Sequence, residues 1–308
     1  YKRQGNLSSS NTELLFNYGD QFRGEVIVDS SGNIFIGTVT YSNGLGQGND
    51  TLVGVQDGIL AKFSPNLDNL LWSKYLGGSG YDAIYSIKVL DNGNILVGGG
   101  TKSALDFPTT PNSYLTNGFS GSVDGFISII SSDGQNVLKS TLVGTPNYDQ
   151  IYFIEFDRFG GIYALGQSTG GLMPLKNTNI ADTSAGQFVL KFDSNLDTLI
   201  YATTFGDGGS GGQINISPTA FLVDQCQNVY ASGWGGTLAG GTKVLTNNMP
   251  LTSNAFRSST NTLDFYLYVM DRNLDTVLYG SFFGGTATRD HVDGGTSRFD
   301  KRLSLIHI

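Results

Sequence analysis

The chain has 308 residues and a formal charge of −8, with 14% charged side chains and 43 glycines. Phosphate binding needs clustered Lys and Arg, and no basic run occurs, so a nucleic-acid surface is excluded and an anionic membrane surface disfavoured. A single cysteine, Cys226, rules out an internal disulfide and a cysteine-based zinc cluster.

Taken in chain order, the sequence is an array. Leu14 to Gly19 (LLFNYG) reads as the closing strand of a preceding unit, so residues 1–19 are assigned to its end. Residues 20–77 then give four strands: EVIVD from Glu25, NIFIGTVT from Asn33, DGILAKF from Asp57 and LLWSKYLG from Leu70. The same four return in 78–144 as YSIKVLD, NILVGG, DGFISII and VLKSTLVG, and in 145–206 as YFIEFD, GIYALG, QFVLKF and LIYATTFG. In 207–284 they are TAFLVD, NVYASG, DFYLYVM and VLYGSFFG, and 285–302 begin another unit. Self-similarity at a period of about sixty to seventy residues is the mark of a repeat architecture. Residues 303–308, LSLIHI, leave the pattern and resemble a translated sequencing-library adapter, so they are set aside as a scar, and His307 with them. No stretch approaches the roughly eighteen apolar residues of a membrane helix, and no signal peptide is visible. Tyr1 falls inside a repeat.

The first-to-second connections SSGN, DNGN and FGG carry the Gly and Asn that tight hairpins favour. Second and third strands hold consecutive apolar residues, as in Ile34-Phe35-Ile36 and Phe188-Val189-Leu190, so both sheet faces should be buried. No helical pattern is available to cover them, so each sheet must be covered by other sheets. Radially stacked four-stranded blades do this. The predicted fold is therefore an all-β, incomplete β-propeller of four full blades and two partial ones. A single blade should not fold alone, and an open arc is expected to self-associate through exposed blade edges.

Insertions between second and third strands share an element: DFPTTPNSYL at Asp106, LMPLKNTNI at Leu172 and NMPLTSNAF at Asn248. Its apolar-Pro pair is expected to pin the loop against its blade. The repeat resembles the SBBP-type propeller repeat, through VDSSGNIFIG, DFPTT and WSKYLGG over nearly all of Asp20 to Arg302, although the third and fourth units depart from the FPTT form. SPTAFLVDQCQNVYASGWGG at Ser217 and RDHVDGGTSRFDK at Arg289 resemble segments of large secreted surface proteins of gliding Bacteroidetes-like bacteria. The resemblance implies an extracellular or cell-surface protein acting in adhesion, with sorting and further modules lying elsewhere.

Sites are few. Asp290, His291 and Asp293 are the densest set of metal-ligand types, and two carboxylates with an imidazole suit a divalent cation. The alternative is an inter-blade loop whose side chains cap backbone groups. Trp234, between glycines in SGWGG, is a candidate for stacking a sugar; packing on the adjacent blade places it equally well. Trp72 aligns with Tyr201 and Tyr279 and reads as core. Cys226 is expected to pack as a small apolar residue. The sequons at Asn6, Asn49 and Asn215 are no more than chance gives in such a composition. GDGGSG from Gly206 lacks the helix and acidic partner of a dinucleotide site, and GTLAGGTK from Gly236 is only loosely like a phosphate loop. No cofactor and no catalytic residue is assigned. The expected function is a non-catalytic binding or spacer module for a protein or glycan ligand, without membrane insertion. The alternatives are a polysaccharide lyase or glycosidase and a pure spacer.

Overall fold

The structure, a computed structural model, describes residues 24–47, 50–103, 105–118, 123–169, 175–207, 213–237, 243–286 and 299. All regular structure among them is β. Blade 1 consists of β1 (Glu25–Val28), β2 (Ile34–Thr40), β3 (Asp57–Phe63) and β4 (Leu70–Leu76). Blade 2 holds β5 (Asp82–Val89), β6 (Ile95–Thr101), β7 (Asp124–Ile130) and β8 (Val137–Val143). Blade 3 holds β9 (Asp149–Phe156), β10 (Ile162–Ser168), β11 (Gln187–Phe192) and β12 (Leu199–Phe205). Blade 4 holds β13 (Ser217–Val223), β14 (Val229–Trp234), β17 (Phe265–Met270) and β18 (Val277–Phe283). A small ribbon, β15 (Gly236–Thr237) with β16 (Lys243–Val244), stands in its long insertion. Every blade is a four-stranded antiparallel sheet with its strands paired in chain order, as the repeat predicts. Of the two partial blades expected within 1–19 and 285–302, only residues 285, 286 and 299 are described, and the Phe299 ring rests 5.8 Å from that of Tyr230 on β14.

Consecutive sheets stack face to face. First strands of successive blades touch one another, β1 on β5, β5 on β9 and β9 on β13, so they form the inner edge and the fourth strands lie outermost. The core is a series of slabs between blades: Phe35, Leu60 and Trp72 against Ile84 and Ile87; Leu96 and Ile127 against Ile151 and Ile154; Phe205 and Val189 against Phe221 and Tyr268. The middle blades are buried on both faces: β6, β7 and β10 contain no exposed residue. At the ends of the array this fails, and Val26 and Val28 of β1 are 57% and 63% exposed. The blades approach closely. A methyl on Gly37 or Gly98 would meet the Ile87 or Ile154 side chain of the next blade at 2.6 or 2.7 Å.

Sequence and structure differ at the first strands. Those of blades 2 to 4 begin at Asp82, Asp149 and Ser217, whereas the apolar pattern starts them at Tyr85, Tyr152 and Thr219. Those three residues are the extra residue of a β-bulge at the same place in each blade, which hides the first turn of strand from a period-two reading. The Tyr85 and Tyr152 rings stack at 6.0 Å between neighbouring blades.

The insertion loops cover the outermost strands. Thr110 N donates to Ser140 O and Leu142 N to Leu115 O along β8; Lys176 and Ala202 exchange backbone bonds on β12; Phe282 N donates to Arg257 O on β18. Each loop thereby blunts a strand edge that would otherwise pair with another chain. Phe107 anchors the first loop, 4% exposed and 4.5 Å from the Phe126 ring. The loops also reach forward: Tyr114 N donates to Leu196 O of blade 3, and Thr178 Oγ1 to Leu274 O of blade 4.

A candidate binding groove between two blades

One position in the first turn, one in the third strand and one in the fourth strand of blades 1 to 3 face the following blade. In blade 1 they are Asp29, Lys62 and Trp72, with Lys62 paired to Trp72 in the ladder. In blade 3 they are Asp157, Lys191 and Tyr201, with Lys191 paired to Tyr201. These sets close their seams. Asp157 accepts from the amides of Phe159 and Gly161, from Tyr163 Oη at 3.0 Å and from Lys191 Nζ at 3.2 Å. Burial works against the charge of Asp157, but those amides and the ammonium outweigh it and hold the carboxyl below the usual range. Lys191 also lies 4.8 Å over the Tyr163 ring. Asp29 repeats the arrangement with Lys62 at 3.8 Å, and Lys62 lies 5.0 Å over Phe35. Trp72 fills the seam between blades 1 and 2 with a ring that is 6% exposed, meeting Phe35 edge-on at 6.0 Å.

Blade 2 breaks all three positions. Leu90 replaces the aspartate, Ile129 the lysine and Lys139 the aromatic residue. The ion pair and the filling ring are both gone, and the seam between blades 2 and 3 opens into a groove of about 420 Å³. Its floor is Leu90, Ile129, Leu138, Phe156 and Ile162; its rim is Asp91, Asn92 and Asn94 from the β5–β6 turn, Arg158 from the β9–β10 turn, and Ser194 and Asn195 from the β11–β12 turn. Lys139 reaches across to Asp197 of blade 3 at 3.2 Å. Both side chains are about one-third exposed, so the pair orients Lys139 more than it stabilises the fold. Asn94 Oδ1 accepts from Ser132 N at 3.2 Å, and Asn92 Oδ1 from Asn94 N at 3.0 Å, which orients the turn. Pockets that take small ligands are mostly apolar clefts of about this size with a few placed polar groups.

The sequence-derived candidates fall elsewhere. Asp290, His291 and Asp293 lie outside the described residues. Among the described residues no group of three or more His, Cys, Asp or Glu is placed to hold a metal ion. Trp234 is 1% exposed, on β14, and a methyl on Gly236 would collide with its ring. The expectation of an open ring face for a sugar is corrected here: packing, not solvent, occupies both sides. Trp72 is core, as its alignment with Tyr201 and Tyr279 implies. Cys226 is exposed in the β13–β14 turn, its N donating to Asp224 Oδ1 at 2.8 Å, and does not pack as an apolar residue. Asn215 is fully buried, its Nδ2 donating to Leu245 O at 3.1 Å, so that sequon is part of the core.

The strongest internal polar feature is structural. Lys88 on β5 holds Glu25 of blade 1 at 3.2 Å and Glu155 of blade 3 at 3.3 Å. Burial alone would lower its ammonium pKa, but the Glu155 and Glu25 carboxylates outweigh that and raise it. Glu25 Oε2 also accepts from Ser86 Oγ and Ile87 N, and Ser86 Oγ accepts from Ile154 N.

The described molecule is thus an all-β, propeller-like repeat domain with one opened inter-blade seam. No family model matches the chain, and no curated protein matches it. Among solved structures it is similar to two single-residue variants of the Synechocystis apocarotenoid oxygenase, at 12% and 11% identity and TM-scores of 0.35 and 0.34. The alignments cover 85% and 90% of this chain, and it spans 61% and 63% of theirs. A likeness this loose carries nothing about the site.

Proposed function

We propose that the chain is a non-catalytic binding module of a secreted or cell-surface bacterial protein, and that it takes its ligand in the groove between blades 2 and 3. The observation that carries this reading is the loss of the Asp–Lys–aromatic filling in blade 2 alone of the first three blades, at the seam where the groove opens. A spacer gains nothing from an unfilled seam, since each lost core contact costs stability. The groove's two aspartates serve other roles: Asp157 is neutralised by Lys191, and Asp91 is on the exposed rim. General acid and base work needs two positioned groups facing one substrate. The resemblance of VDSSGNIFIG, DFPTT and WSKYLGG to SBBP-type repeats of Bacteroidetes-like surface proteins supports the extracellular setting and an adhesive role.

Titration of the full chain with a panel of oligosaccharides and unstructured peptides, alongside an assay for released reducing ends, tests this. Saturable binding without turnover, weakened by Leu138→Asp, is expected. Turnover of a polysaccharide establishes the enzyme instead, and absence of binding to the whole panel leaves the spacer.

A further inference from the structure

The geometry points to a neutral saccharide as the ligand of the groove between blades 2 and 3, an assignment that rests on the binding-module reading above. Charge is the first reason. Lys139 is neutralised by Asp197 and Asp157 by Lys191, which leaves Arg158 and Asp91 on opposite rims, one of each sign. A groove for an acidic sugar or a phosphate would hold a surplus of cations, and one for a basic peptide a surplus of carboxylates.

The rim chemistry is the second reason. Asn92, Asn94, Asn195 and Ser194 are side chains that both donate and accept, as sugar hydroxyls do. A guanidinium fork and a carboxylate, the remaining two, are the side chains suited to grip adjacent hydroxyls through paired hydrogen bonds. The third reason is the floor. Leu138, 42% exposed, and the half-buried Leu90 present aliphatic carbon over the buried Ile129 and Ile162, and against it the C–H face of a pyranose ring loses water. The Arg158 guanidinium lies 4.8 Å over the ring of the exposed Phe159, which holds it at the rim.

Calorimetric titration of the full chain with neutral gluco-, manno- and galacto-oligosaccharides, and in parallel with oligogalacturonate, is the test. At least one neutral oligosaccharide should bind saturably. Asn92→Ala and Arg158→Ala, both exposed turn positions, should each weaken it by about tenfold, a loss typical of one or two hydrogen bonds. The double substitution Leu90→Asp/Ile129→Lys writes into blade 2 the pair that blades 1 and 3 carry, and should abolish binding by closing the groove. Failure of every neutral oligosaccharide to bind overturns the assignment, as does oligogalacturonate binding as well or better. If oligogalacturonate binds and the double substitution abolishes it, the groove stands as a binding site and only the neutral ligand falls. If binding survives Asn92→Ala, Arg158→Ala and the double substitution alike, both readings fall.

Discussion

Asp82 and Asp149 begin the first strands of blades 2 and 3, and both are fully buried. Asp82 accepts from Gly78 N at 2.9 Å, from Ser103 Oγ at 2.7 Å and from Thr101 Oγ1; Asp149 accepts from Thr145 N at 2.6 Å and Oγ1 at 2.7 Å. Burial outweighs these bonds and pushes each carboxyl from 3.8 up to about 6. A folded-state value above the unfolded one means that the stability is fully present below about pH 4 and is lost as the pH rises through 6, on the order of 3 kcal/mol per group by neutrality. Thermal melts should therefore fall in midpoint between pH 4 and pH 7. Asp82→Asn should flatten that slope, because an amide does not titrate; the seam between blades 3 and 4 is held by neutral amides, Asn215 N donating to Gln187 Oε1 at 2.6 Å. A midpoint independent of pH in the unaltered chain would contradict the assignment. A second residue-scale prediction concerns Gln227, held at φ 68° where the other first turns place Gly32, Gly93 and Gly160. Gln227→Gly relieves the left-handed strain but deletes the Oε1 that accepts from Lys191 Nζ at 3.2 Å, so the two effects should offset and move the denaturant midpoint by less than about 1 kcal/mol.

The inner strands are held in register by charge as well as by packing. Glu25, Lys88 and Glu155 belong to β1, β5 and β9, one from each of three blades. Lys88→Met strands two buried carboxylates and should cost about 3–5 kcal/mol, whereas Glu25→Gln/Lys88→Met/Glu155→Gln should recover most of it. Equal losses for the single and triple variants would show that Lys88 acts by packing alone. At the outer edge, Phe107→Ala should cost about 3–5 kcal/mol and free the loop that covers β8, so that light scattering rises together with the loss in stability. The strands themselves were legible because runs such as Gly125-Phe126-Ile127-Ser128-Ile129-Ile130 have no polar alternation, which only two-sided burial explains. The bulges at Tyr85, Tyr152 and Thr219 were not, since an extra residue in one strand leaves no mark on the apolar period.

At the scale of the molecule, repetition reveals architecture and its local failure reveals the site. Asp29, Asp157 and Asp224 stand at one repeat position, and Leu90 stands at it in blade 2; Trp72, Tyr201 and Tyr279 stand at another, and Lys139 does in blade 2. That signal was present in the sequence, but only pairing registers across the blades show that the altered positions share one seam. Trp234 misled for the complementary reason: glycine neighbours suggest an open ring, whereas they are small here because the ring fills the space. The most direct test of the account is hydrogen–deuterium exchange of the full chain with and without saturating neutral oligosaccharide. Protection confined to residues 90–94, 137–139, 156–160 and 194–195 is the predicted result. No protection in those segments, or protection centred on β14 around Trp234, would contradict it.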